Sequence, residues 1–178
     1  MSTSTMWQCL VAAQDFPRAA ASCDPATVTW WRSKDGQTYR GYHLGAEPSA
    51  RFPWTALQGL VDFVGASHGE HAPFHYVVET DVPDEALADF HAWYETEHMP
   101  GLARVPGTVR ASRWIRQEGT PRFVACYDLV TPAAMERPEW LAVRHTDWSS
   151  RVRPMFRNTF RTLYARHVPD LNGSIPRD

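Results

Sequence analysis

Lysine is nearly absent from this chain. Of 18 basic residues only Lys34 is a lysine, and it stands beside the turn residues Asp35-Gly36, which leaves Schiff-base chemistry without a well-placed amine. Cysteine is scarce too. Cys9, Cys23 and Cys126 are odd in number and show no C-x-x-C spacing. That excludes a disulfide framework or a structural zinc site, leaves burial as small hydrophobes, and fits a reducing cytoplasm. Positive charge is not in excess, with 18 basic residues against 20 acidic ones, so nucleic acid is not an expected partner. No apolar run approaches the roughly 18 residues of a membrane span. The opening MSTSTMWQCLVAAQ lacks a basic region before its apolar stretch, so no signal peptide is expected.

Tryptophan, by contrast, is abundant. Eight occur in 178 residues: Trp7, Trp30, Trp31, Trp54, Trp93, Trp114, Trp140 and Trp148. Most must pack the core, yet such a density also suits a pocket for a flat apolar ligand. The length supports one domain, or two small ones, without covalent staples.

Residues 6–14 read as a strand. Residues 27–33 and 38–46 flank Lys34-Asp35-Gly36-Gln37 as a hairpin. Pro53–Ala66 reads as a helix, because Leu57, Leu60, Val61 and Val64 recur at helical spacing behind an early proline. Residues 67–73 are polar and broken, a linker. In it His68, Glu70 and His71 invite a metal reading, but a solvated segment does not converge three ligands.

Beyond the linker, 74–80 is a strand and 84–98 an amphipathic helix ended by Pro100-Gly101. Strands over 108–117 and 122–130 enclose Glu118-Gly119-Thr120-Pro121 as a second hairpin. A broken helical region over 132–156 and a last strand over 160–168 complete a β-α-β-β-α-β order, the ferredoxin-like unit. The expected fold is therefore α+β. Residues 1–72 form a β-rich unit with one helix, partial or a degenerate repeat. Residues 73–169 form the ferredoxin-like domain, and 170–178 a tail. A sheet with helices on one face needs cover on the other. If residues 1–72 supply it, a monomer is possible; if they do not, a homodimer follows, and the dimer is the expectation.

The stretch from Phe90 to Gly101 carries the chemistry. At 100° per residue Phe90, His91, Tyr94 and His98 share one helix face, with Trp93 and Glu97 along its edge. His91 and His98 lie two turns apart, about 10.5 Å along the axis, too far to form a close metal pair. His98 falls at the expected helix C-terminus, where the dipole favours imidazolium and burial opposes it. Those terms predict a pKa near neutrality, suited to a general acid or base. A histidine that merely ends a helix by bonding a loose carbonyl fits the same position.

Trp93-Tyr94-x-x-x-His98-Met99-Pro100, then Val105-Pro106-Gly107, Arg113-Trp114 and Phe123–Leu129 with Tyr127-Asp128-Leu129, resemble the dimeric α/β-barrel superfamily, in particular its EthD-like branch. The likeness spans about residues 74–168; residues 1–72 carry no equivalent motif. It implies two ferredoxin-like sheets packed face to face, with a pocket between each sheet and its helices. The superfamily includes cofactor-free cyclases, lactone isomerases, quinol-forming monooxygenases and haem-dependent enzymes, so the site must choose the reaction.

By that resemblance His98 is the proton-transfer residue, Arg113 the anion holder, and Trp93 and Tyr94 the aromatic wall. Asp128 or Glu97 would orient His98, while His91, Trp114, Tyr127 and His75 complete the candidates. Arg113 and Trp114, being adjacent on a strand, must face opposite sides, as must Tyr127 and Asp128. The expected activity is cofactor-independent acid–base chemistry (lyase, cyclase, decarboxylase or isomerase) on a small aromatic, polyketide-like or lactone substrate. The alternatives are a cofactorless monooxygenase and a non-catalytic ligand-binding protein. No metal or cofactor is expected; haem, held by His98 or His145, is the one alternative.

Overall fold

Both hairpin signals close antiparallel strand pairs. At the first, Gly36 takes φ 73°, a left-handed value that glycine adopts without strain. The computed structural model describes residues 4–48 and 52–170, so all but the first residue of the expected tail lies outside the described residues. In chain order come β1 (Thr5–Ala12), α1 (Phe16–Ala21), β2 (Val28–Ser33), β3 (Thr38–Leu44) and β4 (Thr55–Val64). Then follow β5 (Phe74–Asp81), α2 (Leu87–Trp93), α3 (Met99–Ala103), β6 (Thr108–Arg116) and β7 (Phe123–Leu129). The chain ends with α4 (Pro138–Arg144), α5 (Asp147–Val152) and β8 (Arg157–His167).

The eight strands close into a barrel in the order β1-β3-β2-β8-β5-β7-β6-β4, antiparallel throughout. The first four strands run 4-1-3-2 around the wall, and the last four repeat that order, the ferredoxin-like arrangement. Helices α2 to α5 cover the outer face of β5–β8, burying Phe90, Trp93, Leu102, Tyr127 and Trp140. On the other side α1 covers β1–β3, packing Phe16, Ala19 and Ala20 against Trp30 and Tyr39, with Phe52 and Trp54 beside them. Trp30 fits there because Gly41 has no side chain: a Cβ would lie 2.8 Å from its ring.

The lumen holds Met6, Trp31, Tyr42, Leu57, Val77, Trp114, Val124, Cys126 and Tyr164. Towards one end it is plugged by ions. Arg40, 1% exposed, donates to Glu79 at 2.5 Å, to Gln8 at 2.9 Å and to the Tyr164 hydroxyl at 3.3 Å. Glu79 also accepts from Arg116 at 2.6 Å.

Three expectations fail, each for a physical reason. The helix expected over Pro53–Ala66 is β4, which joins β1 to β6 and closes the barrel. A register shift between Gly59 and Val61 resets its alternation, so Leu57 points into the lumen while Leu60 and Phe63 pack under the helices. The first unit therefore has its fourth strand; no helix separates β3 from β4 among the described residues. Second, the sheet face expected to lie open is covered by strands of residues 1–72 within the same chain, the case in which a monomer is possible.

Third, the helix through His98 does not stop at Pro100-Gly101. Pro100 has no N–H to give the Thr96 carbonyl, and its ring crowds that carbonyl. The chain widens into a π-helical turn over Tyr94–His98 and runs on as α3 to Ala103. His98 is thus an interior helical residue, without the C-terminal dipole assumed for it.

Candidate active site

The π turn swings Trp93, Tyr94 and His98 together onto the sheet. The imidazole of His98 stacks on Trp93 with centroids 4.1 Å apart, and Tyr94 meets it edge-on at 5.4 Å. From the strands below, Tyr76 of β5 and Tyr127 of β7 stack with centroids 6.0 Å apart. Trp140 of α4, Met135 and Phe156 complete an aromatic cavity of about 50 Å³ between sheet and helices.

Three arginines from three segments reach this cavity: Arg144 at the end of α4, Arg153 after α5, and Arg161 on β8. No carboxylate pairs with any of them among the described residues. Burial lowers the pKa of Arg153, and repulsion from Arg144 and Arg161 lowers it further. Tyr76 feels all three: burial raises its phenol, and Arg161, Arg144 and Arg153 pull it back. The site thus carries concentrated positive charge over an aromatic floor, which an anion would relieve.

His98 does not titrate near neutrality. Burial, with Arg153 and Arg144 adding to it, lowers its pKa to about 3, so the ring is a neutral imidazole at pH 7. Its Nδ1 is buried with no hydrogen-bond partner among the described residues, an orphan polar atom beside the cavity. The expected near-neutral pKa assumed a helix end and no neighbouring cations.

The sequence candidates separate into four places. His98, Trp93, Tyr94 and Tyr127 line the cavity. Arg113 lies behind Tyr94, fully buried, its guanidinium 4.4 Å from the Tyr94 ring, 4.5 Å from Phe90 and 5.3 Å from Phe123. It shares a 3.0 Å hydrogen bond with Nδ1 of His91, and burial depresses its pKa to about 10. Neither residue lines the cavity. Glu97 does not orient His98; it accepts a 2.6 Å bond from Thr146, the N-cap of α5.

Asp128, Trp114 and His75 face the lumen, on the far side of the sheet from His98. There Asp128 meets His75 Nδ1 at 2.7 Å, and His75 Nε2 meets the Tyr42 hydroxyl at 3.0 Å. Sequence reasoning missed Tyr42 and the three arginines. The only signal for the latter was an Arg-rich, Lys-poor composition.

No protein-family model matches the sequence, and no curated protein matches it. Solved structures do. A ferredoxin-fold protein from Listeria monocytogenes, related to antibiotic biosynthesis monooxygenases, superposes with TM-score 0.60 and 11% identity, covering 94% of this chain and 96% of that one. An anthrone oxidase-like protein gives TM-score 0.62 and 14% identity, covering 94% and 92%. A haem-degrading enzyme from L. monocytogenes gives 0.59 and 10%, covering 90% and 98%. At these identities the likeness shows the ferredoxin-like fold alone.

Haem does not fit the residues present. At about 50 Å³ the cavity must widen for any ligand of ordinary size, and a porphyrin would need far more room than a three-ring phenol. His98 presents its ring face to Trp93, and His145 is exposed outside the cavity. Among the described residues no group of three His, Cys, Asp or Glu side chains could hold a metal ion, and no helix is long and apolar enough to cross a membrane.

Proposed function

We propose that this protein is a cofactor-independent oxygenase acting on an acidic phenolic or anthrone-type substrate in the cavity under the helices. The observation that carries the reading is the trio Arg144, Arg153 and Arg161, unpaired with any carboxylate among the described residues, around Tyr76, Tyr94, Tyr127 and His98. Such a field lowers the pKa of a bound phenol or enol and holds the anion that results. His98 is neutral but, with a pKa of about 3, a weak base until a bound anion offsets the charge of Arg144 and Arg153 and raises it.

The electron-rich anion then reduces O₂. In the anthrone case the substrate CH₂ loses both hydrogens and gains one oxygen atom, and the second oxygen leaves as water. Binding requires the cavity to widen, with Met135, Phe156 and the arginine side chains moving outward. The segment Trp93-Tyr94-x-x-x-His98-Met99-Pro100 supports placement in the EthD-like branch. Lyase or isomerase chemistry would use the same base, but the neighbours favour oxidation.

The test is oxygen uptake with 1,8-dihydroxyanthrone, using protein stripped with chelator and given no flavin or metal. One O₂ consumed per substrate, faster than in buffer, is expected. His98→Phe should lower kcat by about 10²–10⁴, whereas Arg153→Gln should chiefly raise KM. Uptake no faster than buffer across a phenol and anthrone panel would refute the proposal.

A further inference from the structure

The proposed oxygenase cavity leaves the open end of the barrel without a role. There the lumen widens to about 790 Å³, within the range of small-molecule sites. Its walls come from strands on opposite sides of the barrel. Trp31 on β2 and Trp114 on β6 are four strands apart in the ring of eight, so the two indoles stand across the lumen from each other.

Between them Asp128, His75 and Tyr42 form a chain of hydrogen bonds, 2.7 Å and then 3.0 Å, that reaches from the β7 wall to β3. His75 is 5% exposed and stacks on Trp31 at 4.8 Å. Tyr42 meets Sγ of Cys126 at 3.8 Å. Burial lowers the pKa of His75, but Cys126 and Asp128 more than offset it and hold it up at about 9, so at neutral pH the ring is a cation donating from both nitrogens.

The charges around the mouth do not all cancel. Arg110 is closed by Asp62 through two hydrogen bonds of 2.8 and 2.7 Å, and His75 is closed by Asp128. Arg166 has no carboxylate partner among the described residues; its guanidinium lies 5.4 Å over the Trp31 ring, directly across from it in the strand register. One positive charge is left over, beside an aromatic surface, above a buried donor chain.

We propose that the open end of the barrel is a second small-molecule site, on the opposite side of the sheet from the cavity under the helices, and that it takes a planar aromatic monoanion. The ring system lies between Trp31 and Trp114. Its carboxylate or phenolate pairs with Arg166. The Asp128–His75–Tyr42 chain fixes the floor and presents the Tyr42 hydroxyl to the ligand.

The test uses 2-naphthoate as probe, followed by calorimetry and by the indole N–H signals in ¹H–¹⁵N spectra, assigned with Trp31→Phe and Trp114→Phe. Expected are one-site binding, shifts of those two indole signals, and neutral 2-methoxynaphthalene weaker by about tenfold or more. Arg166→Gln, at an exposed residue that should not affect folding, is expected to weaken 2-naphthoate about tenfold. The same variant should leave oxygen uptake unchanged, while Arg153→Gln leaves naphthoate binding unchanged. Absence of binding at millimolar probe would overturn the proposal. So would equal affinity for the neutral analogue, or shifts confined to Trp93 and Trp140 and abolished by Arg153→Gln.

Discussion

Replacing Glu79 by Leu tests how the lumen tolerates its charges. The carboxylate accepts from Arg40 at 2.5 Å and from Arg116 at 2.6 Å. Burial raises the Glu79 pKa, yet Arg40 and Arg116 outweigh it and hold the carboxyl below its ordinary value, so the group is ionised at pH 7. Once it is gone, Arg116, near the barrel rim, can turn to water. Arg40 cannot: at 1% exposure it keeps only the neutral acceptors Gln8 and Tyr164. Breaking a buried pair in this way costs about 3–5 kcal/mol. For a chain of this size that is a fall of roughly 6–20 °C in Tm. Urea unfolding at pH 7, followed by circular dichroism, would measure it. The double variant Arg40→Met/Glu79→Leu should recover much of the loss, because it leaves no stranded buried charge at that end of the lumen. A single-variant loss below about 1 kcal/mol, or a double variant no better than the single, would refute the reasoning.

Two further predictions concern pH and mass. The folded pKa of His98 is about 3 against an ordinary 6.5, so on acidification the unfolded chain binds that proton first and stability falls between pH 6.5 and 3. The slope approaches about 1.4 kcal/mol per pH unit. His98→Phe should remove that contribution, seen as a smaller difference between urea midpoints at pH 5 and pH 7; parallel curves would show that His98 is solvated. Because the barrel closes within one chain, light scattering should return the 20.3 kDa monomer over a wide concentration range, and a stable species of twice that mass would contradict it.

Much of the second half was legible in the sequence, because its apolar residues alternate cleanly between turn residues. The expected strand over 74–80 and the helix start at Asp84 match the observed elements closely. β4 was not legible. A bulge in a half-buried strand spaces Leu57, Leu60, Val61 and Val64 as a helix would, and only closure against β1 and β6 identifies the strand. The aromatic half of the cavity was legible, since Trp93, Tyr94 and His98 lie within one helical stretch. The arginine trio was not: Arg144, Arg153 and Arg161 come from separate segments, and nothing in their local sequence brings them together. The electrostatics of His98 failed for the same reason, since its pKa is set partly by cations 46 and 55 positions away along the chain (98 to 144 and 98 to 153).

Closure within one chain also frees the two halves of the lumen to differ. In the β1–β3 ladder Met6 lies opposite Leu44, the place that His75 and Asp128 occupy in the β5–β7 ladder. Further along, one half provides the cation Arg40 and the other the anion Glu79. Two identical subunits related by symmetry would install every substitution twice. A histidine–aspartate pair would then face its own duplicate, and an arginine would confront an arginine. A single continuous polypeptide escapes that mirror, and can keep an oily wall across from an ionic one as inheritance alters each half separately.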